Sequence, residues 1–353
     1  MTLVHVGPVT DFAALGERWR DLEQRSTASF FQSWTWIGCL AEERFSDPLL
    51  AEVVDGNRTV ALAMFNRRRH WSGLTTLYLH ESGSAELDCP YIEQNGILAE
   101  AGREAELTAA CLHAVMRRNR VVLSALGTDR LPALRRTGGL VAVTQDQPAP
   151  FADLAAIRRA HHGDVLAGRS ANTRQQVRRS DRYYARHGPI MVRCPDTTEA
   201  AQAWLDEMAT LHQATWRARG QPGSFSRPFF RRFHQALIEA GFQQGSALPL
   251  HVSAGNVTIG ILYNFVWRGR MLAYQSGFAY TAGVTHARPG LTSHHAAMRL
   301  ALEKGLDLYD FLAGDARYKR SLATAEARQF WAVAGPWWQP CLWPVWLKSA
   351  ARG

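Results

Sequence analysis

Asp315, Tyr318 and Lys319 fall within five residues of one another, directly after Gly314. A carboxylate can orient or deprotonate an attacking amine, and a lysine can neutralise a developing oxyanion or hold a phosphate. The run before them, with apolar Leu306, Leu308, Phe311 and Leu312 interspersed with Asp307 and Asp310, reads as a buried strand that ends at the Gly314 turn. A strand end beside a wet loop is a rigid place from which α/β enzymes present working side chains. The same residues also suit solvated turn positions or a plain ion pair, so the trio is a candidate catalytic group with a structural alternative.

A second pattern is electrostatic. Ser170 or Asn172 can cap a helix in which Arg174, Arg178, Arg182 and Arg186 recur every four residues, closed by His187 and Gly188. Four guanidinium groups along one helix face repel each other and invite an anion, although a solvated face carries such charge too. The phosphate of a nucleotide-linked substrate, a tRNA acceptor stem or an anionic membrane would each serve. His212 and Trp216 lie one turn apart on another helix, with Phe225 following, and can line an acceptor pocket or pack in a core. His161-His162 and His294-His295 have no acidic or cysteine partner at ligand spacing, and the five cysteines are isolated, so no metal site is expected.

The elements that must position these residues follow from periodicity. In the first half, Asp11 caps a helix with Phe12, Leu15, Trp19 and Leu22 on one face, and residues 31–43 read as a second helix. Strands at 49–54 and 59–66 flank a hairpin turn at Asp55-Gly56-Asn57, followed by a strand at 74–79, a helix at 103–118 and a strand at 121–125. Gln145 to Pro150 is polar and proline-rich and reads as a linker. Beyond it come helices at 196–219 and 227–240, strands at 248–254, 257–267 and 270–278, and a helix at 292–304 that Gly305 closes.

A chain of 353 residues suits two domains, expected at 1–150 and 151–353. Apolar residues make up 46% and charged residues 20%, as in a globular protein rather than a disordered one. The first residues lack a charged leader running into an apolar core, and no run of eighteen apolar residues occurs, so the expected compartment is the cytoplasm. The net charge of +9 leans toward anionic partners without choosing among them. Trp331, Trp337, Trp338, Trp343 and Trp346, broken up by Pro336, Pro340 and Pro344, form an irregular aromatic tail suited to domain packing or, flanked by Lys348 and Arg352, to peripheral membrane contact.

Several of these segments together resemble a known family. Ala273 to Tyr280, Arg288-Pro289-Gly290-Leu291-Thr292, Asp310 to Lys319, the stretch from Ser170 to Ser180, and Leu211-His212 to Trp216 with Gly220, Gly223 and Phe225 look like the C-terminal half of the CelD/BcsL-type GNAT acyltransferases. The resemblance is close over 165–320 and loose before it. It implies an α/β (α+β) chain of two tandem GNAT-like acyltransferase domains, each a mixed, mostly antiparallel sheet flanked by helices, related to the FemABX transferases. It further implies an acyltransferase whose co-substrate is acyl-CoA or another acyl thioester, with no metal, and whose acceptor is an amine or hydroxyl of a small or saccharide-linked molecule. An acyl-carrier protein, a tRNA or a membrane surface would be further partners, and DNA would not. An aminoacyl-tRNA-dependent transferase and a non-catalytic accessory protein of polysaccharide synthesis are the alternatives.

On this resemblance, the strand around Tyr274 and Gln275 would hold the acyl carbonyl, with Gln275 favoured as the polar liner and Tyr274 on the opposite face. Arg288, Gly290, Leu291 and Thr292, at a helix opening, would hold the phosphates of the thioester carrier, since free amides there attract anions. The simple GNAT enzymes carry a glycine-rich loop at this point that the chain lacks, so an ordinary loop-to-helix entry is the competing reading.

Overall fold

A computed structural model describes residues 2–71, 73–338 and 346. The chain divides into two compact units, one of residues 1–147 with 328–353 and the other of residues 148–327.

In the first unit, strands β1 (Thr2–Pro8), β2 (Pro48–Asp55), β3 (Arg58–Arg69) and β4 (Thr75–Leu79) form an antiparallel run, and the two-residue β5 (Leu98–Ala99) joins β3. The strand β6 (Arg120–Gly127) then lies parallel to β4. Helix α1 (Phe12–Gln24) starts where the Asp11 carboxylate accepts from the Ala14 amide, and it buries Leu15, Trp19 and Leu22 as its spacing predicts. The helix expected over 31–43 is instead broken into a 3₁₀ turn (Phe30–Gln32), α2 (Trp34–Ile37) and α3 (Ala41–Arg44). The Ser33 hydroxyl restarts the chain by accepting from the Trp36 amide, and Leu40 adopts a left-handed φ of 48° that no continuous helix allows. Helices α4 (Glu104–Met116) and α5 (Leu131–Arg135) complete the set, and Leu107, Cys111 and Val115 of α4 pack on Phe65, Leu77 and Val121.

The second unit repeats this plan after the strand β7 (Leu140–Asp153), whose last residues begin it. Helices α6 (Leu154–His161) and α7 (Ala171–Tyr184), strand β8 (Ile190–Arg193), and helices α8 (Thr198–Ala218) and α9 (Pro228–Gly241) precede the antiparallel β9 (Ala247–Ala254), β10 (Val257–Trp267) and β11 (Arg270–Phe278). Helix α10 (Pro289–Glu303) returns the chain to the short β12 (Leu308–Asp310), which runs parallel to β11 and antiparallel to residues 151–153. Helix α11 (Arg317–Leu322) follows. Three antiparallel strands, a helix and a parallel strand thus occur once in each unit, with α4 and α10 as the corresponding helices. A mixed α/β fold with sheets flanked by helices matches the sequence expectation.

Two expectations about the domain edges need correction. Gln145 to Pro150 is not a loop but the middle of β7. Its prolines offer no amide, yet the Pro148 and Pro150 carbonyls accept from Gly314 and Phe311, so the segment needs no donors there. The final strand, β13 (Ala325–Gly335), joins the first unit from Arg328 onward rather than the second, pairing antiparallel with β6 from Gln329 opposite Gly127 to Ala334 opposite Val121. Phe330, Ala332 and Ala334 are buried in the first unit's core, and the pairing satisfies backbone groups along β6. Trp331 lies within β13, while Trp337, Trp338 and Trp346 are exposed. The tail residues Pro340, Trp343, Pro344, Lys348 and Arg352 lie outside the described residues.

Candidate functional site

The second unit's sheet opens at one place. Strand β12 pairs with β11 only from Arg270 opposite Leu308 to Leu272 opposite Asp310, and on the other side of β11 the register with β10 slips at the same level, Tyr263 facing Gln275 while Asn264 faces Ala273. Tyr274 is the extra residue, so β11 bulges where β12 leaves it. Helix α8 closes against β11 at Gly277, where an added Cβ would stand 2.4 Å from the Met208 carbonyl oxygen. Only glycine permits that approach.

Beyond β12 the chain is bent and clipped. The Leu312 amide donates to the Asp310 carboxylate at 2.8 Å, Leu312 and Gly314 have φ of 61° and 119°, and Lys319 Nζ donates to the carbonyls of Leu312 at 3.2 Å and Ala313 at 2.7 Å. Tyr318 stacks on His294 of α10, with ring centroids 4.9 Å apart and planes 15° from parallel. His294 Nδ1 meets the Tyr309 hydroxyl at 2.8 Å, and Phe311 completes the aromatic wall. His294 is buried and its pKa is pushed down to about 3, by burial first and by the Lys319 charge second. Its Nε2 is buried without a hydrogen-bond partner.

The structure therefore brings Tyr318 and Lys319 together with His294, on the short helix α11 rather than in the turn. Asp315 is not among them: it is exposed and forms its ion pair with Arg320 at 3.1 Å. In the sequence His294 stands out only as half of the His294-His295 pair. Its burial by Tyr309 and Tyr318, fifteen and twenty-four positions away, leaves no local signal.

His212, Trp216 and Phe225 do converge. His212 Nδ1 lies 3.1 Å from the Ser276 carbonyl and Nε2 accepts from the Ser224 amide at 3.4 Å, so the ring is neutral with Nδ1 as donor. Burial lowers its pKa. Trp216 and Phe225 flank the ring at 5.7 and 5.4 Å. Tyr274, by contrast, is core: buried against His234, Tyr263 and Phe265, it lines no groove, whereas Gln275 is half-buried. An extra residue in the ladder turns Tyr274 into the aromatic cluster.

At the opening of α10, Arg288 is exposed, and the Ser180 hydroxyl accepts from its amide at 2.9 Å. Thr292 donates its own amide to the Arg288 carbonyl and its hydroxyl to Asp181 at 2.8 Å, so it serves to join α10 to α7. Pro289 has no amide hydrogen, and among the described residues the amides of Gly290 and Leu291 have no acceptor. Gly290 packs on the Phe278 ring, which an added Cβ would meet at 3.3 Å.

Helix α7 begins where the Ser170 hydroxyl accepts from the Thr173 amide at 3.1 Å. Thr173, Val177, Ser180 and Tyr184 form its buried stripe, which leaves Arg174, Arg178 and Arg182 on the wall of a cavity of about 860 Å³. Arg186 sits in a 3₁₀ turn after the helix and does not line it. Among the described residues, no group of three or more His, Cys, Asp or Glu side chains is arranged to hold a metal, and no helix is long and apolar enough to cross a membrane.

The family profile described as an acetyltransferase (GNAT) domain matches residues 171–320, the stretch from the start of α7 through α11. The match lies wholly within the second unit and likens that part of the chain to a GNAT domain. Among solved structures it is similar to a crystal structure of FemX, at 12% identity over 97% of this chain and 100% of that one, with a TM-score of 0.63. It is likewise similar to the C-terminal domain assigned to a lysylphosphatidylglycerol synthetase from Agrobacterium fabrum, at 12% identity over 97% and 96% with a TM-score of 0.56. A third is L-PGS from Bacillus licheniformis, at 10% identity over 95% and 96% with a TM-score of 0.55. At such identities the likeness is one of fold. No protein of curated function matches the sequence.

Proposed function

We propose that the second unit is an acyltransferase of the CelD/BcsL type, moving an acyl group from a thioester such as acyl-CoA to an amine or hydroxyl of a small or saccharide-linked acceptor. The observation that carries this reading is the divergence of β11 from β12, beside a bulge at Tyr274, in a unit whose helix α10 opens with two amides lacking acceptors. A pantetheine-like arm fits between diverging strands, its carbonyl accepting from β11 backbone near Gln275. The amides of Gly290 and Leu291, with Arg288 exposed beside them, suit the carrier's phosphates.

In this reading the acceptor enters beside His212, Trp216 and Phe225, where the partly exposed Trp216 offers an apolar face for a sugar ring or an alkyl chain. Its nitrogen or oxygen attacks the thioester carbonyl, the C–S bond breaks, and the acceptor's proton leaves as the thiolate gains one. Tyr318 is the hydroxyl proposed to supply the thiolate's proton. Lys319, whose ammonium fixes the bend at Leu312 and Ala313, holds a positive charge near the carbonyl as it becomes an oxyanion.

The test is direct: purified protein is incubated with a panel of acyl-CoAs and amine or amino-sugar acceptors, and free thiol release is followed. Acceptor-dependent thiol release that Tyr318→Phe lowers at least about tenfold is the expected result. Turnover that depends on charged tRNA and ignores every thioester would replace the donor.

A further inference from the structure

We infer that the cavity between α7 and α10 binds the diphosphate group of a small-molecule ligand. It is lined by Arg174, Arg178 and Arg182 of α7, His295 and Arg299 of α10, and the loop from Gly163 to Leu166. The assignment of this ligand as a substrate rests on the acyl-transfer reading; the binding itself does not.

Four guanidinium groups line this cavity against two carboxylates, Asp164 and Asp181, which leaves an excess of two positive charges. Among the described residues none of the four guanidinium groups forms an ion pair with a carboxylate. Asp181, the nearest acid on α7, is engaged on both oxygens, by Thr292 Oγ1 at 2.8 Å and by His295 Nδ1 at 3.0 Å. Asp164 accepts the Leu166 amide at 2.9 Å. Like charges one helical turn apart cost stability, and Arg174, Arg178 and Arg182 follow one another at a rise of about 6 Å.

The walls are also rigid. Ser180 of α7 binds Thr292 Oγ1 at 2.8 Å and accepts from the Arg288 amide at 2.9 Å, so the two helices that carry the arginines are fastened to each other before any ligand arrives. Arginine forks held in this way match phosphate oxygens two at a time. Guanidinium groups spread over two turns exceed what a single phosphate can engage, which points to linked phosphates.

Shape selects the class of ligand. A concavity of about 860 Å³ has the size of a small-molecule site. With Asp164 and Asp181 in the same lining the excess positive charge is small and local, which suits a compact anion better than an extended polyanionic surface such as a tRNA stem or a membrane. The site differs from the opening of α10, since His295 and Arg299 lie one to two turns further along that helix.

Calorimetric titration with inorganic pyrophosphate tests the inference without reference to catalysis. The wild-type protein is expected to bind it with an affinity that falls as salt rises. Arg178→Glu should weaken binding at least tenfold, whereas Arg186→Glu, the same charge change on an exposed residue outside the cavity, should leave it intact. Competition separates the sources of the diphosphate. Displacement of pyrophosphate by UDP but not by CoA would mark an acceptor site, and displacement by CoA would mark the donor's phosphates. No pyrophosphate binding by the wild type, equal weakening in both variants, or binding only of tRNA or of phosphatidylglycerol vesicles would overturn it.

Discussion

His294 Nδ1 and the Tyr309 hydroxyl lie 2.8 Å apart inside the second unit, joining the middle of α10 to the short strand that departs from β11. Both side chains are buried, and His294 has no other hydrogen-bond partner. Deleting one partner of such a pair should therefore cost more than deleting both. Tyr309→Phe is expected to destabilise by about 1–3 kcal/mol. The double variant Tyr309→Phe/His294→Phe should recover part of that loss, because no polar atom is then left stranded. Urea denaturation of the single and double variants measures this, and a double variant destabilised by the sum of its parts or more would show that the pair is not coupled as described.

Asp315 and Lys319 should behave differently on substitution, although both look catalytic in the sequence. Asp315 forms an exposed pair with Arg320, of a kind worth about 0–1 kcal/mol, so Asp315→Ala should keep near-normal turnover and stability. Lys319→Ala removes two bonds to the carbonyls of Leu312 and Ala313 and should lower turnover at least about tenfold. Lys319→Arg, which keeps the charge, should recover part of the activity if position and charge both matter. Equal losses in Asp315→Ala and Lys319→Ala would return Asp315 to the site.

Gly277 is predicted to be irreplaceable for a packing reason. An alanine methyl there would stand 2.4 Å from the Met208 carbonyl oxygen, and that oxygen belongs to the backbone of α8 and cannot rotate away. Gly277→Ala should cost about 1–3 kcal/mol and shift α8 with His212, whose Nδ1 is tied to Ser276 next door. Gly283→Ala, in open space, is the control, expected to cost less because only its positive φ opposes the change. Thermal unfolding of the two variants decides between them.

Much of this was legible in the sequence where the cause is local. The turn at Asp55-Gly56-Asn57 is there because Gly56, with a positive φ, sits between two strands, and the stripe of Thr173, Val177, Ser180 and Tyr184 dictates which face of α7 the arginines occupy. His212, Trp216 and Phe225 meet because one helical turn and one short loop connect them. What escaped depends on distant contacts. Residues 329–334 pair with β6, some two hundred positions earlier, and nothing in Phe330 or Ala332 announces that partner. Lys319 turns back to two carbonyls rather than outward to Asp315, a choice that only the bend at Leu312 creates. The break at Ser33 has a local cause in the sequence, a serine that can cap a new helix ahead of Trp34 and Trp36.

Stability should fall on mild acidification. Burial holds His80, His234 and His294 neutral, with pKa values pushed down to about 4, 3 and 3. The stability tied to each is full above its ordinary value of 6.5 and is lost as pH drops toward the folded value. Glu81 acts in the opposite sense, because burial raises its carboxyl to about 7, so its contribution is present at low pH and lost as pH rises through that value. Between pH 4.5 and 6.5 the unfolded chain gains three protons on the histidines against one kept by folded Glu81. Two protons net correspond to a loss of up to about 2.7 kcal/mol per pH unit. Thermal unfolding from pH 7 to pH 5 should show a falling Tm, and a flat profile would mean that these groups are hydrated in solution.

The donor can be decided by protection. If an acyl thioester binds between β11 and β12 with its phosphates at the opening of α10, saturating acyl-CoA should raise the Tm, since a ligand at a hundred times its Kd adds about 2.7 kcal/mol to the folded state. Gly290→Phe is a poor probe of that contact, because its ring would collide with Phe278 and perturb the helix entry itself. Arg288→Ala, at an exposed position, removes charge without touching packing. That variant should keep most of the wild-type Tm without ligand and lose at least half of the shift given by acyl-CoA. Protection by charged tRNA alone, with activity destroyed by ribonuclease, would instead assign the groove to an aminoacyl donor.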